Sequence, residues 1–489
     1  MFLALRLIRA LAIFGLIFGS YMLQLGLVRL VGRRVREADG YVTRIVPDWL
    51  KARRRRVDAN NARRLLRGML RLRGVFIKMG QILSIMGGFL PKVYGKELEQ
   101  LQDAVPPHPF SDIDRTIRKS LGKAPEELYR DIEKEPIAAA SLGQVHVAHL
   151  HDGRKVAVKV LYHGIRGIIA VDMRVVRVAM LVYKRFVPVV GIERVHESLV
   201  DLLRRETDYL HEGACMERMA KNFAGDPGIV FPEVVHELTT GDVLTMTFME
   251  GIKITRLEEQ RAAGVPTAEV AVRLIQAFYK MMFLDRFFHA DPHPGNFLVE
   301  PRSDAPGGFR LVVLDFGAAC EAHDNLIDGM IEILKGFFSQ DDAAVVRGFR
   351  RMGFVAPGGN DKLLEKTVKS YFAKLLKLKD RSAAALMRAK PEQLERLANP
   401  DVERGELQEL MRSFEYPEDW FYVERACVVM FWLAAQIDPS LDTVTVGFPY
   451  VMPLLAQQPP PPKNDARAPS ATSSTTAEKL SGSELTADR

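Results

Sequence analysis

A run of nineteen residues near the N-terminus, from Ala10 to Val28, contains no charged side chain. Its length is close to the roughly 20 apolar residues that cross a bilayer core, so it must lie in a membrane or against an apolar surface. Arg6 and Arg9 precede the run, and an arginine-rich stretch follows it. Basic residues after a span predict a cytoplasmic main domain. We therefore expect residues 1–32 to form an N-terminal membrane-anchor helix.

Three other interpretations of this run stay open. A cleaved signal peptide has a shorter apolar region and a small-residue cleavage site, whereas apolar sequence resumes here after Gly19-Ser20. A mitochondrial presequence is rich in arginine and poor in acids, as this segment is, but it is also rich in serine and less apolar. Tyr21, Gln24 and Gly26 weaken a span and leave room for an amphipathic helix lying on the membrane surface.

The charge of the chain is concentrated after this run. Residues 33–73 hold fourteen basic and four acidic side chains, whereas the whole chain of 489 residues has a net charge of +7. Such a basic face binds nucleic acid or an anionic membrane. The adjacent apolar run favours anionic lipid as the partner and argues against nucleic acid. The composition, 47% hydrophobic and 26% charged, is that of a globular protein and excludes a multi-span transporter.

The pattern of apolar residues predicts a β-rich segment followed by an α-rich one. Two apolar runs at 144–150 and 155–161 flank an Asp-Gly turn and predict a β-hairpin. Helical spacing predominates over 168–224 and again up to about Ala456. Proline, serine and threonine then replace large apolar residues, so 457–489 should be disordered. Further short strands are expected at 243–250, 296–300 and 310–316.

The strongest chemical signal is the segment His289-Ala290-Asp291-Pro292-His293-Pro294-Gly295-Asn296, which has the H-x-D-x-x-x-x-N spacing of a protein-kinase catalytic loop. Asp291 would orient the attacking hydroxyl or water, and Asn296 would hold Mg²⁺. Downstream, Leu314-Asp315-Phe316-Gly317 supplies a D-F-G motif with Asp315 as the metal carboxylate. Upstream, Val156-Ala157-Val158-Lys159 has the V-A-I-K form, and Lys159 would contact the phosphates of ATP. The three motifs occur in the order and local structure that this chemistry requires.

A rival interpretation makes His289, Asp291 and His293 a metal triad for hydrolysis. The two prolines and the following asparagine fit a sharply turning catalytic loop better. Mg²⁺ also prefers oxygen ligands, which Asn296 and Asp315 provide.

Alanines occupy the segment where a typical kinase has its glycine-rich loop. The residues are Ala138, Ala139, Ala140 and Ser141. Methyl groups restrict φ and impede close approach of the backbone to phosphate, so this loop should hold nucleotide differently. The alternative is an ordinary strand–turn–strand segment.

Over residues 65–330 the sequence resembles the UbiB/AarF family of atypical protein-kinase-like proteins, which includes the mitochondrial coenzyme Q kinase-like proteins. The family's K-x-G-Q signature is present as Lys78-Met79-Gly80-Gln81, and its E-x-D element as Glu206-Thr207-Asp208. The alanine-rich loop and the catalytic loop match as well. Met249-Glu250 looks like the hinge whose backbone meets adenine.

This resemblance implies an α+β, two-lobed protein-kinase-like fold with a helical N-terminal extension that packs over the active site. Lys78 and Gln81 would lie on one helix face directed at the nucleotide, although Lys78 could also be one more member of the basic stretch. Glu206 would be the helical partner of Lys159, and spacing alone leaves Glu212 as an alternative. The implied activity is that of an ATPase or small-molecule kinase in ubiquinone or other isoprenoid-lipid biosynthesis.

The implied substrate is a lipid or quinone precursor, with other quinone-biosynthesis proteins as further partners. The setting would be a bacterial inner membrane or a mitochondrial membrane. A nucleotide-binding scaffold without catalysis and a conventional protein kinase remain alternatives. The expected domains are 1–32 (anchor), 33–110 (basic and helical extension), 111–252 (small lobe with inserted helices), 253–456 (helical lobe) and 457–489 (tail).

Two departures from the family's pattern stand out. Residues 84–89, Ser-Ile-Met-Gly-Gly-Phe, replace the usual arginine and aspartate after the K-x-G-Q signature. The apolar run Ala426–Ile437 is too short to cross a membrane as C-terminal spans of bacterial members do.

Overall fold

The computed structural model of the chain describes residues 2–36, 42–85, 92–101, 107–186, 192–355 and 420–456, together with several positions between 358 and 417. The segment 457–489, for which the sequence predicts disorder, lies outside the described residues.

A helical extension precedes the sheet of the small lobe. Its elements are α1 (Phe2–Val31), β1 (Arg33–Arg36), β2 (Val42–Ile45), α2 (Asp48–Leu72), α3 (Val75–Ile85), α4 (Lys92–Leu98), a 3-10 turn (Glu99–Leu101), α5 (Phe110–Leu121) and α6 (Pro125–Leu128). The two short strands pair antiparallel. α2 ends because Arg73 and Gly74 both take positive φ, which a right-handed helix cannot continue. By length and composition, Leu5–Val31 is the one described helix that could cross a membrane.

The small lobe is a five-stranded antiparallel sheet. Its strands are β3 (Asp131–Ile132), β4 (Ala138–Ala139), β5 (Gly143–His149), β6 (Lys155–Leu161) and, after the two-residue β7 (Ile229–Val230), β8 (Val243–Thr247). They follow the order β3-β5-β6-β8, with β4 also paired to β5. The predicted β-hairpin is β5 and β6, and it is confirmed. Gly153 in its turn takes a φ of 91°, which a residue without Cβ adopts readily.

Three helices are inserted between β6 and β7. They are α7 (Ile165–Phe186), α8 (Ile192–Glu206) and α9 (Tyr209–Asn222). The break between α8 and α9 falls within the E-x-D element. There the Asp208 side chain accepts a hydrogen bond from the backbone N–H of His211 and caps α9. Glu206 and Glu212 therefore lie on different helices, although they are close in sequence.

The large lobe is mainly helical. Its elements are β9 (Ile252–Lys253), α10 (Leu257–Ala262), α11 (Thr267–Tyr279), a π-helical turn (Lys280–Leu284), β10 (Phe287–Phe288), β11 (Phe297–Pro301), β12 (Phe309–Val313), β13 (Cys320–Glu321), α12 (Asp324–Ser339), α13 (Asp342–Met352), α14 (Trp420–Ile437) and α15 (Thr443–Ala456). Short 3-10 turns lie at His236–Leu238, Pro294–Asn296 and Pro306–Gly308. A small sheet of order β7-β12-β11-β9 and a β10-β13 pair present the catalytic segments.

The core of the large lobe forms where α14 packs against α11. Leu274 and Ile275 of α11 are buried, as are Ala426 and Met430 of α14. The short apolar run at Ala426–Ile437 is thus a core helix. The predicted α+β class, with a small β-rich lobe and a large helical lobe, is confirmed.

Candidate active site

Lys159 lies in the middle of the small-lobe sheet, opposite Val145 of β5 and Leu244 of β8. Its Nζ donates to both carboxylate oxygens of Glu212, at 2.7 and 2.9 Å. The same nitrogen is 3.3 Å from Oδ2 of Asp315. One strand lysine therefore joins the inserted helix α9 to the D-F-G motif.

The partner of Lys159 is Glu212, the alternative that spacing left open, and not Glu206 as the resemblance implied. The reason is the helix break at Thr207-Asp208, which carries Glu206 on α8 and Glu212 on α9. The Glu212 side chain is only 1% exposed, and it also accepts a hydrogen bond from the backbone N–H of Phe316 at 3.3 Å.

Burial and charge oppose each other in this pair. Burial would lower the pKa of Lys159, but the negative charges of Asp315 and Glu212 outweigh it and hold that pKa well above its usual value. Burial raises the pKa of Glu212, and the charge of Lys159 opposes that rise. Lys159 stays a cation, as a residue that binds phosphate must.

Glu206 pairs instead with Lys78 of the K-x-G-Q signature. Lys78 Nζ lies 2.5 Å from Oε1 of Glu206 and 3.5 Å from Oδ2 of Asp291. α3 thereby brings the N-terminal extension into contact with the catalytic loop. Gly80, two residues further along α3, packs where a Cβ would collide with the Leu101 side chain. The side chain of Gln81 lies outside those that the structure describes.

A second cation reaches Asp291 from the far end of the chain. Nη2 of Arg425, on α14, is 2.6 Å from Oδ1 of Asp291. The Arg425 side chain is 7% exposed, and its Nε and Nη1 have no hydrogen-bond partner among the residues that the structure describes. Burial alone would raise the pKa of Asp291, but the charges of Arg425 and Lys78 hold that pKa well below its usual range.

Sequence reasoning missed Arg425. The signal available was a charged residue inside the apolar run WFYVERACVVMFW, because a buried charge requires a partner. Nothing local identifies that partner, since Asp291 lies far away in sequence.

His289 orients the catalytic loop. Its Nε2 donates to the carbonyl of Leu314 at 3.3 Å, and its Nδ1 accepts the backbone N–H of Asp291 at 3.2 Å. Burial lowers the pKa of His289, so the ring is neutral. With both ring nitrogens engaged, the rival metal triad is not formed. In the part of the chain that the structure describes, no three His, Cys, Asp or Glu side chains converge as metal ligands.

Asn296 and Asp315 are brought together by the ends of β11 and β12. The backbone N–H of Leu314 donates to the carbonyl of Asn296 at 2.8 Å. The Asn296 amide nitrogen donates to the carbonyl of Asp291 at 3.0 Å, which leaves its amide oxygen for another ligand. Asp315 has a φ of 60°, and its carboxylate is half-exposed. One carboxylate and one amide oxygen beside an open cleft are a donor set that suits Mg²⁺.

The alanine-rich segment lies beside Lys159 across the sheet. Ala138 pairs with Val145, which in turn pairs with Lys159. Because directly opposed residues of antiparallel strands share a face, the three side chains form one row. Ala139 continues β4, and Ala140 N–H donates to the Gly143 carbonyl at 2.8 Å, which closes a tight turn over Ser141.

Met249 and Glu250 follow the end of β8 and lead into β9 of the large lobe. The Glu250 side chain is exposed, and it pairs with Lys155 at 3.4 Å. The backbone of this segment therefore connects the two lobes.

Together, the antiparallel sheet, the lysine–glutamate pair, the catalytic loop and the D-F-G motif define a two-lobed protein-kinase-like fold. The solved structure of Rv3197 from Mycobacterium tuberculosis, in complex with erythromycin, is similar in fold. Its TM-score is 0.50 at 22% identity, covering 80% of this chain and 95% of that chain. A model of the ABC1 atypical kinase-like domain matches residues 100–348, just over half of the chain. The chain belongs to the ABC1 atypical kinase-like family, and its resemblance to UbiB/AarF proteins is confirmed.

Two relatives illustrate the breadth of this family. The chloroplastic protein ACTIVITY OF BC1 COMPLEX KINASE 8 of Arabidopsis thaliana is 31% identical over 415 residues, covering 81% of this chain and 54% of that protein. AarF domain-containing kinase 1 of Drosophila melanogaster is 35% identical over 267 residues, covering 55% of this chain and 51% of that protein. The chain thus spans about half the length of these relatives.

Proposed function

We propose that this protein is a Mg²⁺- and ATP-dependent atypical kinase or ATPase that acts at a membrane. The observation that carries the proposal is the contact of Lys159 with both Glu212 and Asp315. Phosphoryl transfer in kinases needs the strand lysine, its helical glutamate and the D-F-G aspartate in place together. An assembled network is what an enzyme that turns over nucleotide requires.

The nucleotide would occupy the cleft beside this network. Lys159 would contact its phosphates, the loop Ala138–Ser141 would cover them, and the backbone of Met249-Glu250 would meet adenine. Asn296 and Asp315 would hold Mg²⁺, which when bound neutralises the charge that develops on the phosphates.

The surroundings of Asp291 favour a small acceptor. Lys78 contacts one of its carboxylate oxygens and Arg425 the other. A water or a small hydroxyl compound has only to compete with these two cations, whereas a protein substrate would also need space that α3 occupies. Water or a lipid-like alcohol is therefore the proposed acceptor, with Lys78 beside its approach and Gln81 as the further catalytic residue that the family resemblance implies.

The proposed setting is an anionic membrane on which the enzyme supports ubiquinone or other isoprenoid-lipid biosynthesis. The apolar helix α1 and the arginines of α2 support a membrane setting, and the family resemblance supports the pathway. We propose a bacterial inner membrane with the two lobes on the cytoplasmic side, or a mitochondrial membrane, with a quinone precursor as substrate and other quinone-biosynthesis proteins as partners.

The test compares the full chain with Asp315→Asn, and with Asp304→Asn as a matched control in an exposed loop. We expect Mg²⁺-dependent ATP hydrolysis by the wild type and the control, stimulated by anionic vesicles, and none by Asp315→Asn. Deletion of the gene in its host should lower the isoprenoid-quinone pool, with rescue by the wild type only. Absence of both nucleotide binding and hydrolysis in the wild type would overturn the proposal.

A nucleotide-binding scaffold without catalysis is the second candidate, because both oxygens of Asp291 are engaged by cations. It predicts that Mg²⁺–ATP raises the thermal midpoint of the wild type while no phosphate is released. A turnover that Asp291→Asn abolishes would reject it.

A further inference from the structure

α1 packs lengthwise on α2 as an antiparallel helical hairpin. Ser20 accepts a hydrogen bond from Asn61, and the Gln24 amide donates to the carbonyl of Leu50 at 3.2 Å. Gly68 meets Ile13 so closely that a Cβ would lie 2.9 Å from it. The inner residues of α1 recur at spacings of three and four, as in a helical hairpin, at Arg6, Ala10, Ile13, Ile17, Ser20 and Gln24.

A buried ion pair joins the N-terminal end of α1 to the inserted helix α7. Both carboxylate oxygens of Asp172, on α7, accept hydrogen bonds from Arg6, at 2.7 and 2.6 Å. Asp172 has no exposed surface, and Arg6 also donates to the carbonyl of Leu72 at the end of α2. If α1 separated from α2 and α7 to cross a bilayer alone, Asp172 would be left buried without its cation, which is strongly destabilising.

The opposite side of α1 is an exposed row of leucines. Leu16, Leu23 and Leu30 follow at intervals of seven residues, close to two helical turns, and are 66%, 57% and 83% exposed. Phe14 and Tyr21 lie on the other side of α1, where they contact Phe76 of α3 and Tyr94 of α4. The leucine row therefore faces away from the two lobes.

An arginine row lies beside it on α2. Arg56, Arg63, Arg67 and Arg71 are exposed at spacings of seven, four and four, whereas Ala62, Leu66 and Met69 of the same helix are buried in the core. Among the described residues, none of these four arginines pairs with a carboxylate. A groove of about 300 Å³ is lined by Asn60, Arg63, Arg64 and Arg67.

We infer that the leucine row of α1 and the arginine row of α2 form one face that binds an anionic phospholipid surface, with α1 parallel to the membrane plane and not across it. The leucines enter the acyl boundary and the exposed guanidinium groups bind lipid phosphates, which is the pattern of an interfacial helix. This inference deepens the proposed membrane setting and rests on it. It also places both ends of α1 on the same side of the membrane.

The first arm of the test is cosedimentation of the full chain with vesicles of phosphatidylcholine, or of equimolar phosphatidylcholine and phosphatidylglycerol. We expect binding to the anionic vesicles only. The triple variant Arg56→Gln/Arg63→Gln/Arg67→Gln should weaken it about 100-fold, since each basic residue near the surface contributes about fivefold. The matched control Arg256→Gln/Arg261→Gln/Arg302→Gln removes three exposed arginines of the large lobe and should bind as the wild type does.

The second arm tests the leucines and the orientation. Leu16→Ser/Leu23→Ser should reduce binding, whereas Leu284→Ser/Met452→Ser, two exposed residues of the large lobe, should not. An epitope tag at the N-terminus should be digested by protease from the same side of sealed membranes as the two lobes. Digestion only from the opposite side would mean that α1 spans, and would overturn the inference.

Two further outcomes would also overturn it. Equal binding to neutral vesicles would remove the role of the arginines. Loss of binding in the arginine variant but not in the leucine variant, with full competition by nucleic acid, would assign the face to nucleic acid. ATP hydrolysis in detergent should be the same in all these variants, so its absence from the wild type would count against the proposed activity and not against this surface.

Discussion

The substitution Glu212→Gln tests the central ion pair, because it removes the charge of Glu212 and keeps its size. Lys159 would lose a partner that contacts it at 2.7 and 2.9 Å in a site where Glu212 is 1% exposed. Breaking a buried ion pair costs about 3–5 kcal/mol. The amide oxygen of glutamine still accepts one hydrogen bond and Asp315 stays 3.3 Å away, so we expect a loss of about 2–3 kcal/mol.

The assay is thermal unfolding of the full chain with and without Mg²⁺–ADP. Because a chain of 489 residues has an unfolding entropy of roughly 1 kcal/mol per degree, the loss corresponds to a midpoint lowered by about 2–3 °C. Affinity for Mg²⁺–ADP should fall about tenfold, which corresponds to ~1.4 kcal/mol, because Lys159 is no longer held toward the phosphates. The matched variant is Glu206→Gln, whose partner is Lys78.

Glu206→Gln should leave the affinity for Mg²⁺–ADP close to that of the wild type. The reasoning is refuted if Glu206→Gln weakens nucleotide binding while Glu212→Gln does not. That result would mean that Lys159 pairs with Glu206, as the family resemblance implied.

Three further predictions concern other parts of the site. Arg425→Met should destabilise the protein by roughly 1–3 kcal/mol at pH 7, because the lost ion pair outweighs the removal of two buried guanidinium nitrogens that have no partner among the described residues. Arg425 lowers the pKa of Asp291 in the folded state, so the ion pair stabilises the fold fully above the unfolded-state pKa of Asp291, about 3.9, and progressively less below it. The difference in thermal midpoint between the wild type and Arg425→Met should therefore narrow as the pH falls toward 3. Gly143→Ala should destabilise strongly, since its Cβ would lie 2.5 Å from the Val160 carbonyl oxygen, whereas Gly167→Ala, with open space around it, should be neutral or stabilising in the same thermal assay. Chelation of Mg²⁺ by EDTA should abolish hydrolysis and most of the nucleotide-induced thermal shift, and full restoration by Mg²⁺ but not by Ca²⁺ is expected.

The sequence predicted those features that are local in the chain. The hairpin of β5 and β6 follows from alternation around an Asp-Gly turn, and the catalytic loop and D-F-G motif are contiguous patterns. The lobed fold follows from their order. Such features depend on neighbours within a few residues, so a contiguous stretch of sequence is enough to predict them.

The features that could not be predicted depend on pairs far apart in sequence. The choice between Glu206 and Glu212 depends on where α8 ends, which is set by the cap that Asp208 gives to α9. The contact of Arg425 with Asp291 depends on how α14 packs in the large lobe. Likewise, the apolar run of α1 suggested a span, while the polar contacts of its inner face with α2 are visible only in three dimensions.

The two cations that contact Asp291 come from opposite ends of the chain, which has a consequence for synthesis. The ribosome makes Lys78 before Asp291 and Arg425 after it. The stretch between Asp291 and Arg425 takes roughly 7–27 seconds to translate. During that interval the nucleotide cleft can fold while the catalytic aspartate still lacks one of its partners. A premature stop codon before α14 would therefore release a distinct species, in which the site around Lys159 is folded but Asp291 lacks Arg425. Cellular proteases could recognise this species.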